Sequence, residues 1–335
     1  MKKSLIFCAA LFACAFAFQS CDKVDNPSGE PLEPTKAVIE NGSDLKNAIA
    51  QFAKEGVVTL PAGVELTLNE EIELTEPLAI IGDKEKPAKI VAKAGIVTTN
   101  NLSINNVKFE VADGFKDALI KMNTLPTEGL NDKGAFEIEA ITFDGVSVNN
   151  LQAQFFWTNT QTYYIKNFVF NNGTINMKGA AKKTIFDWKQ GGFVSNFTLT
   201  NSTLSADETT TWQKGGFFSS QSAKKPTEVS SEEGIKQIFT ITNNTLNSIC
   251  KGQTSFNLRE NNKDYQFYIV KDNKVTDCDK ENQFIVGLAG GTLSKKDNWT
   301  ASGNIVFWGG NNVGAKENEK SGLDACLVPD TPEAE

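Results

Sequence analysis

The sequence predicts an all-β solenoid, a parallel β-helix, and three observations carry that reading. The first is a phrase that recurs seven times: an apolar residue, any residue, then Asn, Asp or Gly, any two residues, and an apolar residue. It reads Ile104-Asn-Asn106-Val-Lys-Phe109, Phe143-Asp-Gly145-Val-Ser-Val148, Phe170-Asn-Asn172-Gly-Thr-Ile175 and Leu199-Thr-Asn201-Ser-Thr-Leu204. It continues as Ile241-Thr-Asn243-Asn-Thr-Leu246, Val270-Lys-Asp272-Asn-Lys-Val275 and Ala301-Ser-Gly303-Asn-Ile-Val306. The central positions are separated by 39, 27, 29, 42, 29 and 31 residues, and self-similarity at such a period marks stacked repeats. The second observation is a column further along each unit: Phe155-x-Trp157, Phe186-x-Trp188, Phe217-x-Ser219, Phe256-x-Leu258 and Phe284-x-Val286, with Phe spacings of 31, 31, 39 and 28. The third is composition, with 23 Phe and 26 Gly beside many Asn and Thr. The competing arrangement, the hairpins of a β-sandwich, brings turn signals every ~8–12 residues and no period near ~30.

Each unit is a strand, a sharp bend and a second strand. Asn, Asp and Gly tolerate the left-handed backbone that the bend needs. The flanking apolar residues turn inward and the residues between them outward. One unit cannot bury its own apolar face, so units must stack, pairing each strand with its counterpart in the next coil.

From the amino terminus, Met1-Lys-Lys-Ser and the apolar Leu5 to Phe18 read as a secretory signal over residues 1–20, too short for a membrane span. Residues 21–36 carry Pro27, Ser28, Gly29, Pro31 and Pro34 among charges and read as a solvated tether. The solenoid domain is expected over 37–320. It opens with an amphipathic helix over 43–55 that Ser43 or Asp44 caps and Gly56 ends. Leu45, Ala48, Ile49 and Phe52 share one face of that helix, which fits a cap over the open end of the stack. The tail over 321–335, ending Pro329-Asp-Thr-Pro-Glu-Ala-Glu335, reads as loose.

This order of elements (the helix, Val57-Val-Thr-Leu-Pro-Ala-Gly63, Leu78-Ala-Ile-Ile-Gly82, then the Asn-turn coils) resembles the right-handed parallel β-helix proteins of the pectate-lyase-like superfamily. The resemblance runs from about Ser43 to about Gly310. Within that group the chain is most similar to uncharacterised surface lipoproteins of Bacteroidetes. The resemblance implies a single-stranded right-handed helix and, because one fold hosts many functions, no particular reaction. Phe18-Gln-Ser-Cys21 likewise resembles a lipoprotein signal in which Cys21 is lipidated and becomes the first mature residue. Asp22 and Asp25 resemble the acidic export signals of such lipoproteins. The localisation implied is a lipid anchor in the outer membrane with display on the cell surface, or on its periplasmic face.

The net charge is -8, with one arginine (Arg259) and no histidine. That composition removes His-dependent nucleophilic catalysis and makes nucleic acid an unsuitable partner. With no His and no close Cys pair there is no zinc pattern. Cys250 lies seven residues after Asn243 and Cys278 six after Asp272, so they fall at nearly the same place on successive coils. A disulfide and a plain ladder of buried thiols both fit that placement. No cofactor is expected, except that Asp272, Asp277 and Asp279, with Glu281, form the densest acidic cluster and offer oxygens to calcium; a solvated turn is the plainer reading.

The candidate site lies on the strand bearing the second column. Asp187 and Lys189 alternate outward in one coil, and Asn257 and Arg259 two repeats later; Phe156 and Phe218 take equivalent outward slots. Lyases of the resembled superfamily need a base beside a uronic carboxylate and cations to hold it, and Asp187, Lys189 and Arg259 are the residues here that could serve. Trp157 and Trp188 fit inward slots, whereas Trp212, Trp299 and Trp308 lie nearer loops and suit sugar contact. The expected function is a monomeric, non-catalytic surface module that binds glycan or an envelope or host protein. The alternatives are a polysaccharide lyase or glycoside hydrolase acting on acidic glycans, and a structural spacer.

Overall fold

A computed structural model describes residues 38–126, 128–158, 162–188, 191–212, 218–219, 224–249, 256–257, 265–278, 298–309 and 314–317. From Ile39 onward they belong to one compact unit, a parallel β-helix whose coils each give one strand to three sheets. In the first seven coils the three strands are Val57–Thr59, Glu65–Leu68 and Ile72–Leu74; Leu78–Ile81, Ala88–Ala92 and Ile96–Thr98; Leu102–Asn105, Val107–Val111 and Ile120–Met122; Phe136–Asp144, Ser147–Leu151 and Phe156–Thr158; Tyr163–Asn171, Thr174–Met177 and Phe186–Asp187; Phe193–Thr200, Thr203–Ala206 and Phe218–Ser219; and Gln237–Thr242, Thr245–Asn247 and Phe256–Asn257. Two further coils extend the first and second sheets with Gln266–Lys271 and Lys274–Cys278, then Trp299–Ser302 and Ile305–Trp308. All pairings within these coils are parallel. Gly314–Glu317 then runs antiparallel to Ile305–Trp308 and covers the last edge of the second sheet.

The bends fall where the recurring phrase puts them. All seven central residues, Asn106, Gly145, Asn172, Asn201, Asn243, Asp272 and Gly303, have positive φ, between 52° and 67°. Their flanking apolar residues stack in register. Ile104, Phe143, Phe170, Leu199, Ile241, Val270 and Ala301 form one column of the first sheet. Phe109, Val148, Ile175, Leu204, Leu246, Val275 and Val306 form one column of the second.

The third sheet differs from its expected register by one residue. Phe156, not Phe155, pairs with Phe186, and Phe186 pairs with Phe218, so Phe156 and Phe218 are buried inside rather than outward. The cause is a corner. The amides of both Phe155 and Phe156 donate to the Ile185 carbonyl, at 2.9 and 3.1 Å, and at that kink both rings turn inward. Phe155 meets the rings of Phe143, Phe170 and Phe186 at 4.8, 5.4 and 5.8 Å.

The capping helix runs Leu45–Phe52, shorter at its carboxyl end than 43–55. Asp44 caps it, accepting from the Lys46 amide at 2.9 Å, and the chain turns over Glu55 and Gly56, both at positive φ. Asp44 also accepts from Asn69 at 3.1 Å, which ties the helix to the first coil. Leu45 and Ala48 are buried, and Ile49 and Phe52 pack on the core. No helix among the described residues is long and apolar enough to cross a membrane.

The residue after each bend faces inward, and its chemistry changes along the stack. Val107 and Val146 are apolar; then come Gly173, Ser202, Asn244, Asn273 and Asn304. The three asparagines form a buried ladder. Asn273 accepts from the Asn244 amide at 3.0 Å and Asn304 from the Asn273 amide at 3.0 Å, while each side-chain amine donates to a backbone carbonyl of the preceding strand. A second, smaller core lies outside the stack. The first-sheet strands of the fourth to sixth coils are long, and their amino ends carry Tyr164 and Phe193, which pack with Ala135 and Val229 beneath the insertion over 224–236.

Candidate functional site

On the third sheet the outward row is Glu73, Val97, Lys121, Trp157, Asp187, Ser219 and Asn257. Asp187 and Asn257 therefore share a row two coils apart, as their spacing implies. The row is not open, however. Asp187 is only 5 % exposed, and Gln154 donates to its carboxylate at 3.4 Å. Lys121 is 6 % exposed and lies 2.5 Å from Glu71 and 2.8 Å from Asp117. Burial alone would lower the Lys121 ammonium, but hydrogen bonds to Asp117 and Glu71 outweigh it and hold the group above its ordinary 10.5. Burial would likewise raise Asp117, yet the hydrogen bonds from Lys121 and the Ala118 amide, with the charges of Lys121 and Lys183, keep it below 3.8. A lysine kept protonated and a carboxylate kept ionised form an ion cluster. Neither is poised to take or give a proton near neutral pH.

Of the other candidates, Cys21, Lys189, Cys250, Arg259 and Asp279 lie outside the described residues. The backbones of Trp212, Asn257, Cys278, Trp299 and Trp308 lie in strands, so the three tryptophans are not in loops: Trp212 pairs with Lys183, Trp299 with Tyr268 and Trp308 with Cys278. Asp272 sits at a bend and Asp277 at the far end of the strand Lys274–Cys278, where Ser248 donates to it at 2.6 Å. Five residues of strand separate these two acids by ~16 Å, too far for one cation. No group of three potential metal ligands occurs among the described residues.

The most regular polar surface is on the second sheet, and it was overlooked in reading the sequence. One outward row runs Lys108, Ser147, Thr174, Thr203, Thr245 and Lys274. Beside it runs Glu110, Asn149, Asn176, Ser205, Asn247 and Thr276, knitted by side-chain hydrogen bonds. Asn149 donates to Glu110 at 3.3 Å, Asn176 to Asn149 at 2.9 Å, Ser205 to Asn176, and Thr276 to Asn247 at 2.7 Å. All twelve side chains are exposed or half-buried. At ~4.8 Å per coil the strip from Lys108 to Lys274 is ~24 Å long. Its signal was inside the phrase itself, since the second position after each bend is Lys, Ser, Thr, Thr, Thr and Lys in the six coils from Asn106 to Asp272.

Residues 64–207 match the family described as a domain of unknown function (DUF4957). Comparisons with curated proteins and with solved structures return no match. The matched stretch begins at the bend of the first coil and ends just after the second-sheet strand of the sixth. Over those coils, less than half of the 335 residues, the chain is similar to that family.

Proposed function

We propose that the protein is a pectate-lyase-like β-helix lipoprotein of the cell envelope, anchored to the outer membrane through Cys21, that binds an extended glycan without cleaving it. The observation that carries the reading is the second-sheet strip. Its in-register hydroxyls and amides, with a lysine at either end, repeat along one straight line. A polymer with regularly spaced hydroxyls meets such a row at successive units, and long solenoid faces suit extended ligands. A protein partner is the poorer fit, because stable protein interfaces centre on apolar and aromatic anchors. Among the described residues the exposed large apolar side chains are Val38, Val57 and Leu130, none of them on the strip.

Retention on immobilised polysaccharides tests the reading. Thr174→Glu with Thr203→Glu, both at the surface, should weaken retention about tenfold without changing the fold. Unchanged retention in that variant would remove the strip from the reading. Release of unsaturated product from uronic-acid polymers, lost on Asp187→Ala and Arg259→Ala, would replace binding with the lyase alternative. Cys21→Ala should free the protein from membranes.

A further inference from the structure

The long coil between Asn201 and Asn243, a step of 42 residues, builds a hollow of about 510 Å³ on the outside of the stack. We infer that this hollow is a separate site for a single sugar ring, the end of a glycan, distinct from the second-sheet strip. Pockets of ~300–1,000 Å³ with an apolar lining and a few convergent polar groups are the usual form of small-ligand sites.

The lining has two parts. Pro226, Ile235 and Tyr265 supply apolar surface at its base, where Ile235 and Tyr265 pack on the second core. Exposed Thr227, Ser231, Glu232, Glu233, Lys133 and Lys225 stand around them. A sugar ring has the matching halves: one face of C–H groups that stacks on an aromatic ring, and an edge of hydroxyls that both donate and accept. The lining charges are two of each sign, so a strongly charged ligand gains nothing from one end that it does not lose at the other. None of these four charged groups has an ion-pair partner among the described residues, so their hydrogen-bonding capacity is open to a ligand. Burial, together with the charge of Glu228, pushes the Tyr265 phenol up to about 12, so it stays neutral and able to donate.

The hollow is also held in shape. Asn131 donates to the Val229 carbonyl at 2.7 Å, joining the turn that bears Lys133 to the insertion. Below, Ser195 donates to Tyr164 at 3.2 Å, and Gln266 donates to Gln237, which donates to the Val194 carbonyl, at 2.7 and 3.1 Å. A site formed before binding spends little free energy on ordering.

Saturation-transfer NMR on the purified full chain, with the methyl glycosides of glucose, galactose, mannose and N-acetylglucosamine as probes, tests the assignment. At least one probe should receive magnetisation, most strongly on the protons of one ring face. Tyr265→Ala should weaken it about tenfold, as should Glu232→Ala with Glu233→Ala. The glutamates are exposed, so that pair decides the matter if Tyr265→Ala fails to fold. No transfer to any probe, or transfer unaffected by the glutamate pair, overturns the site. Polysaccharide retention by the strip should survive both variants, so failure at the hollow leaves the strip reading standing, and the reverse.

Discussion

The first three coils and the next four solve the same packing problem with different side chains. The early coils are filled by Val58, Leu66, Ile80, Ile90, Ile96 and Leu102, with Ala88 and Ala92 fully buried, and Phe109 is the first buried aromatic residue. They are also short: Val57 pairs with Ala79 and Leu78 with Leu102, steps of 22 and 24 residues. From the fourth coil the interior turns aromatic. Phe168 alone has ring contacts with Phe143, Phe156, Phe186, Trp188 and Phe197, at 4.8–5.8 Å. Here the coils lengthen, and their extra residues go outward, into the insertion over 224–236 and the small pair Ala181–Lys183 with Thr211–Trp212. Aliphatic residues thus fill a minimal coil, whereas the aromatic coils carry the excursions that make concave surface.

The sharpest way to break that comparison is to empty one core position in each region. Phe168→Ala removes a ring from the centre of the cluster and should cost about 3–5 kcal/mol, whereas Ile80→Val should cost about 0.5–1.5 kcal/mol. Urea unfolding followed by circular dichroism reads both. In a stack held by nearest-neighbour contacts, the Phe168 variant should also split the transition in two, with the early coils melting last. Equal midpoints for the two variants would mean that the aromatic cluster is no more than filler.

A smaller effect sharpens the contrast at the bends. Asn273→Ala removes the acceptor for the Asn244 amide and leaves the Ile241 carbonyl without its side-chain donor, both inside the stack. Orphaned buried polar groups cost ~1–3 kcal/mol each, so a loss of about 3 kcal/mol is expected. Val146→Ala, at the equivalent place in the fourth coil, should cost about 1 kcal/mol by lost packing alone. Hydrogen exchange at the Asn244 amide should quicken in the first variant and not in the second. An unchanged Asn244 rate would show that the ladder is incidental to the later coils.

What was legible in the sequence divides along similar lines. The seven bends were readable because left-handed backbone is a local demand that Asn, Asp and Gly meet by themselves. The first two coils escaped notice as repeats because their bends use Pro61-Ala-Gly63 and Gly82 instead of the recurring phrase. The register of the third sheet was not readable. Whether Phe155 or Phe156 continues the column depends on a corner fixed by the neighbouring Ile185 carbonyl, 30 residues away in sequence. Alternation likewise assigned Asp187 to the outward row correctly, but it gave no warning that the row is closed over. The hollow draws on Lys133, the insertion and Tyr265, positions that no sequence period connects.

The least effect expected here concerns charge on the outside of the early coils. Glu71 of the first coil and Asp117 of the third meet on Lys121, so the cluster spans the aliphatic region from outside, where the aromatic region has side-chain packing. Asp117 titrates below 3.8 in the folded chain, so the stability it contributes is complete above 3.8 and is lost as pH falls through the lower folded value. Lys121 titrates above 10.5, so its contribution is complete below 10.5 and fades only as pH rises through the higher folded value. Asp117 is 54 % exposed, and solvent screening limits such a pair to ~0.2–1 kcal/mol. Asp117→Asn should therefore lower stability near neutral pH by that small amount. The difference should shrink as the buffer is acidified below 3.8, because the wild-type carboxyl then becomes neutral too. Thermal melts across the acid range measure the gap. A gap of constant size would mean that Asp117 acts through shape and not through charge, and the early coils would then owe their cohesion to packing alone, as the later ones do.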